Sequence, residues 1–232
     1  MEKYMKPMII VGKGPTAREI KKSDKYDIAT LNNTIWLAPE PTYSFFNDVE
    51  LFMLMEDKDF ESVTKIVCPT FLHSSWAKLE GKCEGDVTHW LDLYKLFPNR
   101  LDHIEFFLYE LHAGDNTKPE EQERTGLFDA GVPGLPEWPL STGQTATMWL
   151  LQYAGYRDFI VAGLDVEGGY HPIFVGAGHE DGVEGFNGQG TAAQPQGYHA
   201  DYAQSVKWAD YYQARFRHIN ELSEEELDDL GI

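Results

Sequence analysis

One segment restricts the possible folds of this chain more than any other, namely residues 141–165, which read STGQTATMWLLQYAGYRDFIVAGLD. Small residues open a helical pattern that ends near Gly155, and the apolar run DFIVA follows after a short turn. Apolar, β-branched runs of this length are typical of strands buried on both faces of a parallel sheet. A helix that leads directly into such a strand favours an α/β fold.

Further strand and helix patterns alternate along the rest of the chain. MIIV from Met8 predicts a strand that runs into GKGP, and TAREIKKS after it predicts a short helix. DIATL and PTYSFFND predict two more strands, VELFMLMEDKDFESV a helix, and KIVCPT a strand. WLDLYKLFP and ADYAQSVKWADYYQARF predict helices, and HIEFFLYE predicts a strand. We therefore predict a single Rossmann-like α/β domain with a mostly parallel sheet flanked by helices.

Two segments interrupt this alternation. Residues 113–139 are rich in Gly, Pro and charge, which predicts a surface excursion, and residues 168–197 hold nine glycines, which predict a flexible lid. We expect one domain over residues 1–222 and an acidic tail over residues 223–232. The tail begins with SEEE, which has the spacing of a capping box and predicts a last short helix; a frayed, solubilising tail is the alternative.

The formal net charge of −19 limits the partners of the chain. Such a charge repels nucleic-acid backbones and anionic membranes unless a basic groove overrides it locally, so a broad nucleic-acid interface is disfavoured.

No apolar run approaches the roughly 18 residues of a membrane span, and the N-terminus lacks an export signal, so we expect a cytoplasmic protein. Cys68 and Cys83 do not have the spacing of a disulfide framework or a zinc site.

Glycine and polar residues follow four of the predicted strands. The first strand ends in the turn from Gly12 to Thr16, the second in Asn32-Asn33, the third in Asn47-Asp48, and the strand after the long helix in GLD at 163–165. Ligands of open parallel sheets bind beyond the carboxyl ends of the strands. We therefore expect these strand ends to form one ligand site.

The residue types at these ends suit a nucleotide. Gly12 and Gly14 would let the backbone approach a ligand closely. The N–H groups after Pro15 would lie at the start of a helix and would be free to bind an anion. A side-chain amide such as that of Asn32 or Asn47 donates and accepts, so it can read ribose hydroxyls or a pyrimidine edge. A tight turn without any ligand, with asparagines that serve only the turn geometry, explains the same residues and stays open.

Five motifs, taken in order, resemble those of the bacterial sialyltransferases that decorate lipooligosaccharide. They are VGKGPTAREI, TLNNTIW, SFFND, LSTGQTATMWLLQYAGYRDFIVAGLD and a late His before a helix, and they extend from residue 8 to about 216. The resemblance implies an inverting glycosyltransferase that needs no metal ion. Its donor would be a nucleotide sugar, with a cytidine monophosphate (CMP) sugar favoured, and its acceptor would be a saccharide hydroxyl.

The resemblance also implies roles for individual residues. His199 would be the base that takes the proton of the acceptor hydroxyl, since an imidazole titrates near pH ~6.5. Tyr170 or Tyr198 would donate a hydroxyl hydrogen bond to the departing phosphate. The donor would lie against Gly12, Gly14, Pro15, Thr16, Asn32, Asn47, Thr142, Gly143 and Asp165.

The chain departs from this family in the residues that would face the phosphate. The family has an Arg just before its helix start, where this chain has Trp138-Pro139-Leu140, and two lid tyrosines of the family have no ungapped counterpart. The resemblance therefore supports the glycosyltransferase class more than one particular donor sugar. Trp138, in a loop bracketed by prolines, is a candidate contact for the ligand or the acceptor.

A metal-dependent alternative rests on Asp57-Lys58-Asp59, which matches the DxD motif of many other glycosyltransferases. A DxD site belongs at a strand end that faces the donor, whereas these residues fall in a charged, helical pattern. We expect a solvated helix face there and no metal site.

Two other functions stay open on the sequence. The same donor pocket would serve transfer to hydroxylated bases of DNA, as in some viral glycosyltransferases, although the acidity of the chain argues against a DNA acceptor. A non-catalytic nucleotide-binding module would account for the missing Arg and lid tyrosines.

Overall fold

Seven strands form one parallel sheet in the computed structural model, which describes residues 5–46, 55–69, 97–109, 142–165, 171–174 and 195–232. The strands are β1 Met8–Val11, β2 Asp27–Leu31, β3 Tyr43–Phe45, β4 Lys65–Pro69, β5 Glu105–Tyr109, β6 Asp158–Ala162 and β7 Arg215–His218. Their order across the sheet is β5-β4-β3-β2-β1-β6-β7.

The direction of winding reverses at β1. Strands β2 to β5 follow one another on one side of β1, whereas β6 and β7 lie on the other side. Met8 of β1 is in register with Asp27 of β2 and with Phe159 of β6. The carboxyl ends of β1 and β6 therefore form the topological switch point, the usual position of a ligand site in such a sheet.

The structure describes four α-helices: α1 Pro98–Leu101, α2 Thr142–Trp149, α3 Pro195–Tyr211 and α4 Glu224–Leu230. Helix α2 continues as a wider π turn over Leu150–Ala154 and ends at Gly155, whose left-handed φ of 77° favours glycine. Short 3₁₀ turns cover Asn32–Trp36, Asp57–Phe60, Pro172–Phe174 and Ile219–Glu221.

The two faces of the sheet are covered by different kinds of structure. On one face, Ile10 and Val161 belong to a core that includes Trp149 of α2 and Trp208 of α3. Burial of each large apolar side chain in this core contributes about 1.5–3 kcal/mol to the free energy of unfolding. Helices therefore cover this face.

Irregular chain and 3₁₀ turns cover much of the opposite face. There Ile9 and Ile160 of the strands pack with Ile20, Phe174 and Ile219, all of which are almost completely buried. Successive strand residues point to opposite faces, so Ile9 and Ile10 enter different cores. Burial on both faces explains why the strand sequences are continuously apolar.

The predicted architecture is confirmed as an α/β fold with a Rossmann-like parallel sheet flanked by helices. The patterns MIIV, DIATL, PTYSFFND, KIVCPT, HIEFFLYE and DFIVA all contain observed strands. The capping box before α4 is also formed, because Glu226 N donates to Ser223 Oγ at 3.2 Å and Ser223 N donates to Glu226 Oε2 at 2.9 Å. The end of the chain is therefore helical and not frayed.

The predicted helix at TAREIKKS is wrong. Ala17 N donates to Gly14 O at 3.0 Å and closes a turn, after which the chain runs on without a helix through residues 16–23. Ile20 N instead donates to Leu37 O at 2.8 Å. This long-range bond and the burial of Ile20 hold the segment against the sheet as irregular chain.

Two other predicted helices have different bounds. The described part of VELFMLMEDKDFESV, from Met55 onward, contains only the 3₁₀ turn Asp57–Phe60. The last long helix ends at Tyr211, and the residues after it form β7 beside β6. Arg215 donates through Nε to Asp158 Oδ1 at 2.8 Å, and these two residues are partners in the register of β6 and β7.

The surface excursion predicted at 113–139 lies outside the described residues. So does the predicted lid at 168–197, except for 171–174 and 195–197. The bounds of the domain at 1–222 and of the tail at 223–232, and the cytoplasmic location, stay predictions. Within the part of the chain that the structure describes, no helix is long and apolar enough to cross a membrane.

Candidate functional site

The carboxyl ends of β1 and β6 touch along their backbones. Gly12 N donates to Ala162 O at 2.7 Å, and Gly14 N donates to Gly163 O at 2.8 Å. A Cβ on Gly12 would lie 2.3 Å from Gly163 O, and a Cβ on Gly14 would lie 2.3 Å from Asp165 Oδ2. The two glycines are therefore required by the close approach of the β6 end, independently of any ligand.

Thr16, Asp165 and His218 form a hydrogen-bonded group, called here the Asp165 cluster, that fastens this contact. Thr16 Oγ1 donates to Asp165 Oδ1 at 2.5 Å, and Thr16 N donates to Asp165 Oδ2 at 2.8 Å. Gly163 N donates to Thr16 Oγ1 at 2.9 Å, and His218 Nε2 lies 3.0 Å from Asp165 Oδ1. The cluster joins the ends of β1, β6 and β7, and the Asp165 side chain is only 10% exposed.

The two ring nitrogens of His218 have different partners. Asn220 N donates to Nδ1 at 3.3 Å, which assigns the ring proton to Nε2, facing Asp165. Partial burial raises the pKa of Asp165, but the hydrogen bonds from His218 and Thr16 outweigh this effect and hold the pKa below its ordinary value. Asp165 is therefore an ionised carboxylate at neutral pH.

The physical basis predicted for an anion site after Pro15 is wrong. Residues 16–23, directly after Pro15, form no helix, and the amides of Thr16 and Ala17 have partners within the protein. Thr16 N donates to Asp165, and Ala17 N donates to Gly14 O. Contact between the turn and a donor stays a prediction, and amides for a phosphate would have to come from another element.

Asn32 and Thr142, by contrast, lie within hydrogen-bonding distance beyond the end of β2, and Gly143 follows Thr142 in the chain. Asn32 Nδ2 donates to Thr142 Oγ1 at 3.4 Å, from the end of β2 to the first turn of α2. A Cβ on Gly143 would lie 3.0 Å from Leu164 Cδ2 and 3.6 Å from Leu31 Cδ1, so the start of α2 sits close to the ends of β6 and β2. The first N–H groups of a helix lack partners within that helix, so this start is a source of amides for a phosphate.

The two asparagines after β2 differ in conformation and in partners. Asn32 has a left-handed φ of 55°, which Asn tolerates better than most residues. Asn33 is 1% exposed, and the described structure gives neither its Oδ1 nor its Nδ2 a hydrogen-bond partner. Thr34 fastens the turn, since its Oγ1 accepts from Leu31 N and donates to Val11 O, each at 2.7 Å.

The predicted catalytic residues and the predicted donor contact Asn47 are placed only in part. Asn47 and Tyr170 lie outside the described residues. Tyr198 and His199 lie near the start of α3, where the backbone is described and their side chains are not. Their contacts with a donor or an acceptor stay predictions.

The DxD sequence lies away from the switch point. Asp57-Lys58-Asp59 is part of the 3₁₀ turn that precedes β4, whose amino end is at the opposite edge of the sheet. Asp57 pairs with Arg100, whose side chain is 6% exposed, at 2.7 Å. Among the residues described, no group of three or more His, Cys, Asp or Glu side chains has an arrangement that could hold a metal ion.

His218 is the residue of this region that the sequence analysis missed. It lies on β7, which the helical pattern of the preceding residues obscures. Phe216 and His218 alternate with Arg215 and Arg217, and this alternation is the strand signal that could have identified it.

Comparison of the chain with protein-family models, with curated proteins and with solved structures found no match. The likeness to sialyltransferases is thus one of short sequence motifs. The function has to be inferred from those motifs together with the geometry of the strand ends.

Proposed function

We propose that this chain is a nucleotide-sugar-dependent glycosyltransferase that moves a sugar to an acceptor hydroxyl without a metal ion. The observation that carries the proposal is the contact of Asn32 with Thr142 beside the switch point, between residues 110 positions apart in the chain. The motif resemblance assigns these two positions to the same ligand, and a shared ligand site requires such proximity.

The donor is expected to lie over the end of β2 and the start of α2. The amide of Asn32 and the hydroxyl of Thr142 suit ribose hydroxyls, and the N–H groups of the helix start suit a phosphate. The Asp165 cluster borders this position through Leu164, which approaches Gly143. Asp165 would repel a phosphate, so the phosphate is expected to lie toward the N–H groups of the helix start and away from this carboxylate. A CMP sugar is the favoured donor.

Transfer would proceed as a single displacement. The acceptor oxygen forms a bond to the anomeric carbon while the bond from that carbon to the phosphate oxygen breaks, which inverts the configuration. The acceptor proton goes to His199, and the nucleotide leaves with the bonding electron pair. A hydroxyl of Tyr170 or Tyr198 would stabilise the departing phosphate by hydrogen bonding.

Thermal unfolding with nucleotides tests the donor. The full chain is melted with CMP, a CMP sugar, a UDP sugar and a GDP sugar, each with magnesium and with EDTA. A ligand at one hundred times its Kd stabilises the native state by about 2.7 kcal/mol, which raises the melting temperature by roughly 5–10 °C. We expect this rise with CMP in EDTA. A magnesium-dependent rise with a diphosphate sugar alone would replace the donor, and no rise with any of them would contradict the proposal.

A transfer assay tests the base. We expect His199→Ala to abolish transfer and to leave the Kd for the donor within a few fold, because the base touches the acceptor. Lys207→Ala, an exposed change on the same helix, is the control. Transfer retained by His199→Ala would contradict the assignment.

Two further assays test the alternative functions. Hydrolysis of the bound donor by the wild-type chain would distinguish an enzyme from a non-catalytic binding module. A salt-dependent shift in the gel mobility of duplex DNA would favour a DNA acceptor.

A further inference from the structure

Asn33 is buried without the hydrogen bonds that a buried amide needs. Its side chain is 1% exposed, and no partner for Oδ1 or Nδ2 exists in the described structure. Buried polar groups are paired in nearly all cases, because an unpaired one has lost its bonds to water without replacement. In the unliganded protein, the amide of Asn33 therefore destabilises the fold. A bound molecule that supplies its hydrogen bonds would remove this cost.

The position of Asn33 is fixed by its neighbours in the chain. It lies in the 3₁₀ turn Asn32–Trp36, directly after β2 and at the carboxyl edge of the sheet. Thr34 holds this turn to Leu31 and to Val11 of β1 through two bonds of 2.7 Å. These bonds fix the backbone of the turn in which Asn33 directly follows Asn32, whose side chain contacts Thr142.

The chemistry of an amide limits what can pair with it. A phosphate only accepts hydrogen bonds, so it would satisfy Nδ2 and leave Oδ1 unpaired. A pyrimidine base edge presents an acceptor next to a donor, such as N3 and the exocyclic amine of cytosine, and satisfies both atoms at once. A neutral base also enters a buried position at lower cost than a charged phosphate.

We propose that Asn33 binds the edge of the nucleotide base, with Nδ2 donating to a ring acceptor and Oδ1 accepting from the adjacent donor. This inference rests on the proposed function and adds to it the residue that selects the base. Asn33 is then a binding residue that weakens the free protein and strengthens the complex.

The test uses Asn33→Leu in the full chain, because leucine has the branched shape of asparagine without its polar atoms. Asn220→Leu, at an exposed asparagine, is the matched control. The melting temperature is measured without ligand, and the Kd values for CMP and for ribose 5-phosphate are measured by calorimetry. Asn33→Ala, which adds no bulk, is measured in parallel in case the leucine variant does not fold.

We expect Asn33→Leu to melt about 2–4 °C above the wild-type chain, since the unpaired amide is gone. The Kd for CMP should rise about tenfold or more in both Asn33 variants, while the Kd for ribose 5-phosphate stays within about twofold. The control should change none of the three values.

Four results would overturn the inference. A leucine variant that melts below the wild type would mean that Asn33 has a structural partner, and unchanged CMP affinity would mean that ordered water satisfies the amide. Equal weakening of CMP and ribose 5-phosphate would move the contact from the base to the sugar. If the wild-type chain binds neither probe, the proposed function and the base contact are both excluded. If the wild-type chain binds CMP and neither Asn33 variant changes the Kd, only the base contact is excluded.

Discussion

The polar groups at the ends of β1 and β6 are paired with one another, whereas those at the end of β2 are only partly paired. At β1 and β6, Thr16 and His218 both bond Asp165, and the amides of Gly12 and Gly14 bond the opposing backbone. At the end of β2, Asn33 lacks partners within the described structure. The glycine-rich turn therefore marks close backbone packing, and the unpaired amide of Asn33 is the feature on which the proposed base contact rests.

The largest effect on this comparison is expected from Gly12→Ala. The new Cβ would lie 2.3 Å from Gly163 O, so the β1 and β6 ends have to separate. We expect a loss of about 3 kcal/mol or more in the free energy of unfolding, measured by urea titration.

Gly231→Ala is the matched control for Gly12→Ala. Gly231 has a φ of 81° with no atom near its Cβ position, so this change should cost only the left-handed strain, about 1 kcal/mol. Equal losses at Gly12 and Gly231 would contradict the requirement for close packing.

Asp165→Asn is expected to cost about 2 kcal/mol at pH 7, because an amide cannot accept from Thr16 N and His218 as the carboxylate does. The pKa of Asp165 lies below its unfolded value of 3.8. Its carboxylate therefore stabilises the fold above about pH 4, and this contribution is lost as the pH falls through the folded pKa.

Urea titrations of the wild type and Asp165→Asn at pH 7 and near pH 3 measure this dependence. The difference between the two proteins should be full at pH 7 and should shrink in acid, as the wild-type carboxylate takes up a proton. A difference that stays constant with pH would show that charge at Asp165 is unimportant.

Thr34→Val is expected to cost about 1–2 kcal/mol and to weaken nucleotide binding. Valine keeps the shape of threonine, but Leu31 N and Val11 O each lose a buried partner. Thr64→Val, at an exposed residue, should change stability by less than about 0.5 kcal/mol. Thermal melts with and without CMP measure both effects. A Thr34→Val protein with wild-type stability and full CMP binding would show that the β2 turn does not depend on the hydrogen bonds of Thr34.

Asn32→Gly should have the smallest effect on stability, within about 0.5 kcal/mol, because glycine readily adopts the left-handed φ of 55°. It removes the amide, so the rise in melting temperature with CMP should be lost. Gln213→Gly is the matched control, since Gln213 has a φ of 54° and is exposed after α3. A full response to CMP in Asn32→Gly would exclude Asn32 from the donor site.

The strands could be predicted from the sequence because their signal is local. A run such as DFIVA is apolar at every position, and burial on both faces of a parallel sheet accounts for it. The absence of a helix after Pro15 could not be predicted in this way, because Ile20 is held by a hydrogen bond to Leu37. Helical periodicity in a short segment does not reveal such a long-range bond.

The candidate site was predictable in its location more than in its bonding. The position of Asn32 follows from the rule that parallel strands share one carboxyl edge, and the position of Thr142 follows from the helical pattern that begins there. The Asp165 cluster joins residues separated by 149 and 53 positions, and β7 carries its third member. Asn32 and Asn33 are identical and adjacent in sequence, so only the structure distinguishes the one that contacts α2 from the one that is buried unpaired.

The position of β1 between β2 and β6 has a consequence for synthesis of the chain. Asp27, one partner of Met8, is made soon after it, but the other partner, Phe159, is made much later. At about 5–20 residues per second, one edge of β1 stays without its neighbour for a time on the order of ten seconds. An open apolar strand edge recruits other strands, so a nascent chain that stalls before β6 is the form most prone to aggregation and most dependent on chaperones.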